Sequence, residues 1–331
     1  MIIEKTNTEY TIYRIPVLVT TSKGNLLACY ECRKDYSDWA EIDLKIIKSE
    51  DSGETWRTVG FIRGAGNTLN NPVFIVKDET IHFLYCKNYK QLFYCKSEND
   101  GETFSLPQNI SKDLEREGIE YTVVAVGPGH GIVHNGNLLI PVWFAYNPEN
   151  PQAHHPSFIA TLYSQDDGKH WQVGEIIGKD FFVNPSECAL AIAADNKVII
   201  SIRNENIISI RNENGDVSHN FRGFAESATG YSNWENIVFR ENMRDRVCQG
   251  CLFSENGSLY HVNCIGKSRS QLTLKISRDV FKNYKSILVD EIGGYSDIAV
   301  KEGIAYILYE RNPPTDGLYF KKIDVKTLMN D

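Results

Sequence analysis

Three arginines stand in strand-like runs where a charged side chain is out of place. Arg14 interrupts TIYRIPVLV (residues 11–19), Arg203 interrupts IISIRNEN, and Arg269 sits in KSRSQLTLKISRD. Because a guanidinium cannot lose its proton, burying one without an anionic partner is very costly. Its planar fork binds a carboxylate through two N–H donors. Three such arginines in one chain therefore raise the question of which anion they bind.

One eight-residue pattern recurs and indicates how distant residues could be brought together. It starts with serine, usually has an acid or amide third and a glycine fifth, and ends in an aromatic residue. The copies are SEDSGETW (49–56), SENDGETF (97–104), SQDDGKHW (164–171), SATGYSNW (227–234) and SRDVFKNY (277–284). The acid can fix a tight turn, and glycine supplies a positive φ. Repeats at this period are typical of propellers or solenoids, and the final aromatic should pack beneath the turn between blades.

Short alternating or apolar runs surround every copy, such as NLLACYEC, IHFLYCKN and IAYILYER, and long amphipathic helical patterns are missing. A unit of roughly 50–60 residues is enough for four short strands. The 331 residues then hold about six units. The sequence predicts an all-β fold, a six-bladed β-propeller that forms a single domain over residues 1–331.

Composition excludes several partners. The net charge of −8 offers no general basic surface for nucleic acid, so an anion site has to be a local cluster. No run of about 18 apolar residues suggests a membrane helix. The N-terminus lacks the pattern of a signal peptide, so we expect a cytoplasmic protein, or a secreted one if a leader has been trimmed. The oligomeric state stays open.

Eight cysteines raise the question of a metal site. Two pairs, CYEC (29–32) and CQGC (248–251), have the spacing of zinc ligands. Both lie in strand-like surroundings, where residues three apart point to opposite faces. The sequence favours buried, reduced thiols, and it predicts neither a metal nor a cofactor.

The early YRIP followed by SxDxGxTW boxes resembles the sialidases, exo-acting glycoside hydrolases built on a six-bladed propeller. In that family the boxes are the Asp-box (BNR) repeats. The resemblance covers essentially the whole chain. It implies retaining hydrolysis of terminal α-linked sialic acid, with a sialylated glycan or oligosaccharide as the substrate.

The resemblance also assigns substrate-binding residues. It matches Arg14, Arg203 and Arg269 to the three arginines that clamp the substrate carboxylate, and Glu310 of YILYER to the acid that holds Arg14. Arg33 matches a further arginine that contacts substrate.

Three residues match the family's catalytic groups: Tyr295 of EIGGYSDIAV as nucleophile, Glu187 of NPSECALAI as its base, and Asp38 of CRKDYSDWAEID as acid/base. Nearby Asp35, Glu41 and Asp43 are alternatives to Asp38. Sialic acid carries its carboxylate on the anomeric carbon, so a neutral tyrosine avoids the repulsion that an acidic nucleophile would meet. A phenol with a pKa of about 10 needs a base to activate it. The acid would protonate the leaving oxygen and then activate water.

Some features depart from the family or stay ambiguous. Asn71 stands where many sialidases have an aspartate that lines the pocket, which leaves the preference for the C5 substituent open. The glycine-rich GPGHGI (127–132) lacks a βαβ context for nucleotide binding, and His130 is either a rim residue or a turn residue. The aromatic residues Trp39, Trp143 and Tyr146 are candidates for stacking on sugar, although packing explains each of them better.

Two alternatives remain. The chain could hydrolyse a related nonulosonic acid, deaminated or otherwise modified at C5. It could also be a non-catalytic carbohydrate-binding propeller, although such a module would tend to lose Asp38, Tyr295 or Glu187. A uronate lyase needs no arginine triad with a Tyr/Glu pair. Linkage preference, and hydrolysis against transfer or intramolecular release, are not determined.

Overall fold

A computed structural model describes residues 1–205, 220–311 and 317–329. In the first half of the chain its strands form three sheets, preceded by β1 (Ile2–Glu4). The first sheet contains β2 (Ile12–Thr20), β3 (Leu26–Arg33), β4 (Ile42–Ser49) and β5 (Arg57–Ile62). The second contains β6 (Leu69–Lys77), β7 (Thr80–Lys87), β8 (Gln91–Ser97) and β9 (Gln108–Asn109), followed by a 3-10 turn at Ser111–Leu114. The third contains β10 (Val123–Val126), β12 (Ile132–His134), β13 (Asn137–Ala145), β14 (Ser157–Ser164) and β15 (Gln172–Val173). The short strand β11 (Gly129–His130) lies between β10 and β12 in the chain but belongs to the second sheet.

The second half supplies three more sheets of four strands. The fourth contains β16 (Pro185–Ile192), β17 (Val198–Asn204), β18 (Asn220–Ser227) and β19 (Glu235–Asp245). The fifth contains β20 (Cys251–Glu255), β21 (Ser258–Cys264), β22 (Ser270–Ser277) and β23 (Lys285–Ile292). The sixth contains β24 (Ser296–Lys301), β25 (Ile304–Glu310), β26 (Leu318–Asp324) and, as its fourth strand, β1. The short helix α1 (Lys326–Met329) follows β26. Over the described ranges, no helix is long and apolar enough to cross a membrane. The six sheets are the blades of the predicted all-β propeller, which is confirmed.

The two ends of the chain meet in the sixth blade. Strand β1 pairs with β26, so Ile2 lies opposite Tyr319 and the N-terminal ammonium of Met1 donates to the Phe320 carbonyl at 2.7 Å. The first residues of the chain thus form the outer strand of the last blade and close the ring.

The third blade has a divided inner edge. Both β10 and β12 pair with β13, and the segment between them, β11, runs parallel to β6 of the second blade. This crossing segment is the glycine-rich GPGHGI stretch. Its backbone leaves the third blade, pairs with β6 of the second blade and returns.

Each of the five repeats begins at the last residue of the third strand of its blade, and it leads into the fourth strand. In the first copy Ser49 Oγ accepts from the Gly53 N–H at 2.7 Å, and Asp51 Oδ1 accepts from the Thr55 N–H at 2.9 Å. Gly53 has φ +87°, and a Cβ there would lie 2.2 Å from the Phe320 ring. Trp56 packs on the same ring at 5.3 Å. The repeat therefore fixes a turn and packs the first blade on the sixth, as predicted.

Apolar clusters fill the spaces between neighbouring blades, and the cysteines belong to them. All eight thiols are buried and free of disulfides. Cys29 lies in the cluster shared with the second blade, whereas Cys32 lies in the one shared with the sixth. The two sulfurs thus point to opposite faces of β3, as the strand spacing predicts. Within the described part of the chain, no three His, Cys, Asp or Glu side chains are placed to hold a metal ion.

The inner strands are irregular at one end of the propeller. The pairing register shifts between Arg14 and Val17 in β2, between Asn70 and Val73 in β6, and between Pro185 and Cys188 in β16. Such bulges redirect side chains. A positive φ in a β-branched residue costs on the order of 1–3 kcal/mol, and Ile15 has φ +53°. Its N–H donates to Glu310 at 3.0 Å, which holds the strained backbone in place.

Candidate active site

A cavity of about 170 Å³ is lined by the bulged segments of β2, β6 and β16. Except for Glu310, every site residue predicted from the sequence lines this cavity, and Glu310 lies behind Arg14. They come from the first, second, fourth, fifth and sixth blades. The propeller therefore gathers side chains that are up to 296 positions apart in sequence.

Arg14 and Glu310 form the pair that the resemblance implies. Arg14 Nε and Nη2 donate to the two carboxylate oxygens at 3.1 and 3.4 Å. The same carboxylate accepts from the backbone N–H of Ile15 at 3.0 Å and of Tyr295 at 3.4 Å. Arg14 Nη1 is not used in these two hydrogen bonds, and it lies 3.8 Å from Asp38 Oδ1, which belongs to the cavity wall. A ligand carboxylate can reach this nitrogen without breaking the contacts to Glu310.

Tyr295 and Glu187 lie side by side in the cavity wall. The Tyr295 hydroxyl donates to Glu187 Oε1 at 2.7 Å and accepts from Arg203 Nη1 at 2.9 Å. Arg203 Nη1 also contacts the second oxygen of Glu187. All three side chains are buried. A carboxylate that accepts the phenol hydrogen bond can take the phenol proton, and the arginine can stabilise the oxyanion that forms.

The arginines surround the phenol ring itself. The guanidinium carbons of Arg14 and Arg269 lie 4.8 and 5.1 Å from the Tyr295 ring centroid. Burial raises the pKa of Tyr295 above its ordinary range, whereas the positive charges of Arg203, Arg269 and Arg14 act in the opposite direction. The phenol is therefore protonated at neutral pH, and it depends on the base and the arginines to ionise.

Asp38 is held by Arg33. Its Oδ1 accepts from Arg33 Nη1 at 2.6 Å, and Arg33 Nη2 lies 2.6 Å from Glu31, which is fully buried with it. Burial disfavours the Asp38 carboxylate, but the Arg33 guanidinium, together with that of Arg14, outweighs this effect and lowers the pKa of Asp38. Although Arg33 lines the cavity, its guanidinium donates to Glu31 and Asp38. The geometry thus makes it the anchor of the acid on the loop between β3 and β4.

The three alternatives to Asp38 have other contacts. Asp43 is buried, where it accepts from the Tyr10 hydroxyl and the Gly64 N–H at 2.6 Å each. Glu41 pairs with Lys34 at 2.9 Å, and Asp35 accepts from the Ser37 N–H. The structure places only Asp38, among these four acids, in the cavity wall.

Asn71 lies in the cavity wall at the bulge of β6, with φ +55°. Its N–H donates to Glu31 at 2.8 Å, and its Oδ1 accepts from the Asn70 amide at 3.0 Å. The Asn71 side-chain oxygen is therefore used within the protein.

The other residues noted from the sequence lie as follows. His130 is buried and pairs with Asp297 at 2.7 Å, so it is not a rim residue. Trp143 lines the cavity, and Trp39 packs on Tyr89 at 5.0 Å between ring centroids. Tyr146 is exposed.

The sequence reasoning misses six residues of the cavity wall: Ile15, Tyr89, His154, His155, Ser186 and Glu205. The sequence does contain a signal for Glu205. Residues two apart in a strand share a face, and Glu205 follows Arg203 by two positions. The two histidines lie in a loop, AHHP, in which no spacing rule points to the cavity.

Comparison with known proteins places the chain in a family. The family model described as the BNR repeat-like domain matches residues 58–307. The chain belongs to the BNR repeat-like family. This match covers all or part of every blade, which agrees with the repeats found in the sequence.

Curated relatives of this BNR repeat-like protein include a sialidase of Bacteroides fragilis, 26% identical over 90% of this chain and 60% of the relative. An exo-alpha-sialidase of Arthroderma benhamiae is 28% identical over 81% of this chain and 67% of the relative. The chain thus spans about 60% of the length of the Bacteroides protein.

Solved structures resemble it over nearly its whole length. The Hadza microbial sialidase Hz136 matches 96% of this chain and 67% of its own with a TM-score of 0.81 at 22% identity. The Trypanosoma rangeli sialidase in complex with sialic acid matches 97% of this chain and 55% of its own with a TM-score of 0.73 at 21% identity. These likenesses establish that the propeller fold is shared.

Proposed function

We propose that this protein is an exo-α-sialidase, which removes terminal α-linked sialic acid from glycans or oligosaccharides with retention of configuration. The observation that carries the proposal is the 2.7 Å hydrogen bond from the Tyr295 hydroxyl to Glu187 inside a group of three arginines. A phenol paired with a base, next to several guanidinium groups, suits an anionic sugar that carries its charge at the reacting carbon. The curated relatives that bear the name sialidase support the same conclusion.

In the first step the substrate carboxylate binds to Arg14, Arg203 and Arg269. The Tyr295 oxygen attacks the anomeric carbon while Glu187 takes the phenol proton. Asp38 gives a proton to the glycosidic oxygen, so the bond from the anomeric carbon to the leaving group breaks and the released glycan leaves as an alcohol. The product of this step is a covalent bond between the sugar and Tyr295.

In the second step Asp38, now a carboxylate, takes a proton from water, and the resulting hydroxide equivalent attacks the anomeric carbon. The bond to Tyr295 breaks, and Glu187 returns the proton to the phenolate. Arg203 Nη1 donates to that oxygen at 2.9 Å and stabilises it while it is charged. Two inversions give net retention.

Covalent trapping tests this function. Incubation with 2,3-difluorosialic acid should add the sugar mass to the peptide that contains Tyr295, and an aryl α-sialoside should be cleaved. The variant Y295F should neither be labelled on this peptide nor turn the substrate over at the wild-type rate. A label on another residue would contradict the assignment of the nucleophile, and no cleavage of any sialoside would contradict the function.

The second candidate is a hydrolase for a related nonulosonic acid that lacks the C5 amide. It is favoured by Asn71, which presents a neutral amide to the cavity where many sialidases have an aspartate. Turnover of aryl glycosides of sialic acid and of its deaminated counterpart, compared as kcat/KM, separates the two candidates.

A further inference from the structure

The carboxyl group of Asp38 has few contacts at the cavity. Asp38 lies on the loop of residues 34–41 between β3 and β4, and 44% of its side chain is exposed. Arg33 Nη1 donates to Oδ1 at 2.6 Å, and Arg14 Nη1 lies 3.8 Å from the same oxygen. The other oxygen, Oδ2, accepts no hydrogen bond from any residue that the structure describes. The carboxyl group is therefore held through one of its two oxygens, and by charge.

This attraction weakens when Asp38 acts as the acid. The proposed first step needs a protonated Asp38, and a neutral carboxyl group loses its Coulomb attraction to the guanidinium groups. A general acid must nevertheless stay within hydrogen-bond reach of the atom that it protonates. The loop therefore needs an anchor that does not depend on the charge of Asp38.

The next residue in the chain, Trp39, has contacts of this kind. Its ring packs on the Tyr89 ring at 5.0 Å and on the His154 ring at 6.3 Å between centroids. His154 packs on Tyr89 and on Trp143 at 5.2 Å each, so the four rings form an aromatic cluster. Tyr89, Trp143 and His154 line the cavity. Tyr89 belongs to the second blade and the other two to the third, so Trp39 docks the loop of the first blade on its two successors.

The turn that receives Trp39 is firmly held. Tyr89 is buried, and its backbone has φ +50°, which a bulky residue adopts only where its surroundings impose it. Its carbonyl accepts from the Val124 N–H at 2.8 Å, and the Asn88 N–H donates to the Thr68 carbonyl at 2.8 Å. The Thr68 hydroxyl in turn donates to the Ala40 carbonyl in the loop of the acid. The loop is thus joined to this turn by ring packing and by a hydrogen bond.

We propose that Trp39 is a positioning residue, which holds Asp38 at the cavity wall by packing in the aromatic cluster. The inference rests on the proposed function, because it concerns the acid of that reaction. Ring packing does not change when the neighbouring carboxyl group gains or loses a proton, so Trp39 keeps Asp38 in place in both steps. Because Trp39 acts through Asp38, its loss should affect only the events that use this acid.

The first test compares two substrates that differ in their leaving group. Phenol needs a proton from the acid in order to leave, whereas 4-nitrophenol leaves readily without one. In W39A, kcat/KM for phenyl α-sialoside should fall at least about tenfold, because a displaced acid transfers its proton poorly. The value for 4-nitrophenyl α-sialoside should stay close to that of the wild type. In both cases kcat/KM covers the reaction only up to release of the phenol.

The second step gives an independent measurement. Asp38 activates water in this step, so W39A should hydrolyse the covalent intermediate slowly. With 4-nitrophenyl α-sialoside it should release a rapid burst of nitrophenol before a slow steady state. The sugar mass should then be found on the peptide that contains Tyr295.

Four further variants separate positioning from packing. D38N should show the same pattern as W39A, and W39A/D38N should be no worse than D38N, because the two residues act as a unit. W39F keeps a ring and should recover most of the activity on the phenyl substrate. W39L keeps an apolar side chain without a ring and should show the selective loss, so the test does not depend on the folding of W39A alone.

The matched control is W56A, which removes a partly buried tryptophan that packs on Phe320 at 5.3 Å in a repeat turn. It should lower Tm, yet keep the wild-type ratio of the two kcat/KM values. Equal losses for both substrates in W39A and W39L, or wild-type kinetics with both, would overturn the inference and leave the proposed function intact. A further loss in W39A/D38N relative to D38N would do the same.

Failure of the proposed function looks different. A wild-type protein that cleaves neither these sialosides nor the glycosides of the deaminated sugar would overturn the proposed function and this inference together.

Discussion

The Tyr295 hydroxyl lies 2.7 Å from Glu187 Oε1, although 108 positions separate the two residues in the chain. Tyr295 precedes β24 of the sixth blade, and Glu187 lies in β16 of the fourth. Neither residue could act on the other without the ring of blades. In the proposed reaction this contact turns a weak nucleophile into an active one.

The first prediction tests this contact. Y295F and E187Q should each lower kcat for an aryl sialoside by at least about 10³-fold, because the nucleophile and its base act as a unit. For the same reason the double variant should be no worse than either single one. The control Y309F removes another tyrosine that donates to a carboxylate, Asp290 at 2.8 Å, and should retain wild-type kcat. Additive losses in the double variant would show that the two residues act independently.

The second prediction concerns the carboxylate clamp. R14K keeps the charge but replaces a planar fork by a point ammonium, so it loses either the contact to Glu310 or the contact to the ligand. The Kd for DANA, an inhibitor that binds the Trypanosoma rangeli sialidase, should rise roughly 10- to 100-fold. R57K changes an exposed arginine that pairs with Glu102, and it should bind like the wild type. An unchanged Kd in R14K would remove Arg14 from the clamp.

The third prediction is a pH profile. Arg33 lowers the pKa of Asp38, and the proposed first step needs this acid protonated. For a substrate with a poor leaving group, kcat/KM should therefore fall as pH rises through the pKa of Asp38 in the free enzyme. The double variant E31Q/R33Q removes the guanidinium without leaving Glu31 charged and unpaired. The pKa of Asp38 should rise, and the alkaline limb of the profile should move to higher pH.

The control for this profile is K34Q/E41Q, which removes the neighbouring pair with its 2.9 Å contact. Its alkaline limb should coincide with that of the wild type. If the limb of E31Q/R33Q also stays in place, another group is the acid.

The fourth prediction concerns stability. Burial lowers the pKa of Lys275 in β22 to about 7, whereas an unfolded lysine keeps its proton up to about pH 10. Between these values the unfolded state binds more protons, so the contribution of Lys275 to the free energy of unfolding rises with pH. K275M removes this dependence. Relative to wild type it should therefore be most stabilising near pH 7 and less so as pH rises.

Urea unfolding at pH 6.5, 7.5 and 8.5 measures this difference. K282M changes an exposed lysine of the same blade, and its difference from wild type should not vary with pH. A K275M difference that is constant over this range would mean that Lys275 keeps the same charge when the protein is folded and unfolded.

The sequence predicts the fold well because the repeat is local. A serine, an acid and a glycine within five positions fix their own turn, as Ser49, Asp51 and Gly53 do, so no distant residue is needed to recognise it. The pairing of β1 with β26 is not predictable in this way, because it joins the two ends of the chain.

Site residues divide along the same line. An arginine within a strand-like run indicates that an anion lies nearby, so Arg14 and Arg203 are recognisable from their neighbours in the sequence. The residues that pair with them are implied only by the resemblance to the sialidases. His155 and Glu205 were missed because their contact forms between a loop and the end of a strand 50 positions away. That Arg33 contacts substrate stays a prediction, whereas its contacts to Glu31 and Asp38 are visible only in the structure.

By itself, the sequence determined the number of blades, the turns between their strands and the kinds of chemical group available, since each depends on neighbours in the chain. Only the tertiary structure decided which groups share one cavity and which of them hold one another. Those contacts depend on the curvature of the closed ring and on the bulges of its inner strands. These contacts set the distances between the charged groups of the site, and therefore the electrostatic environment of each side chain in it.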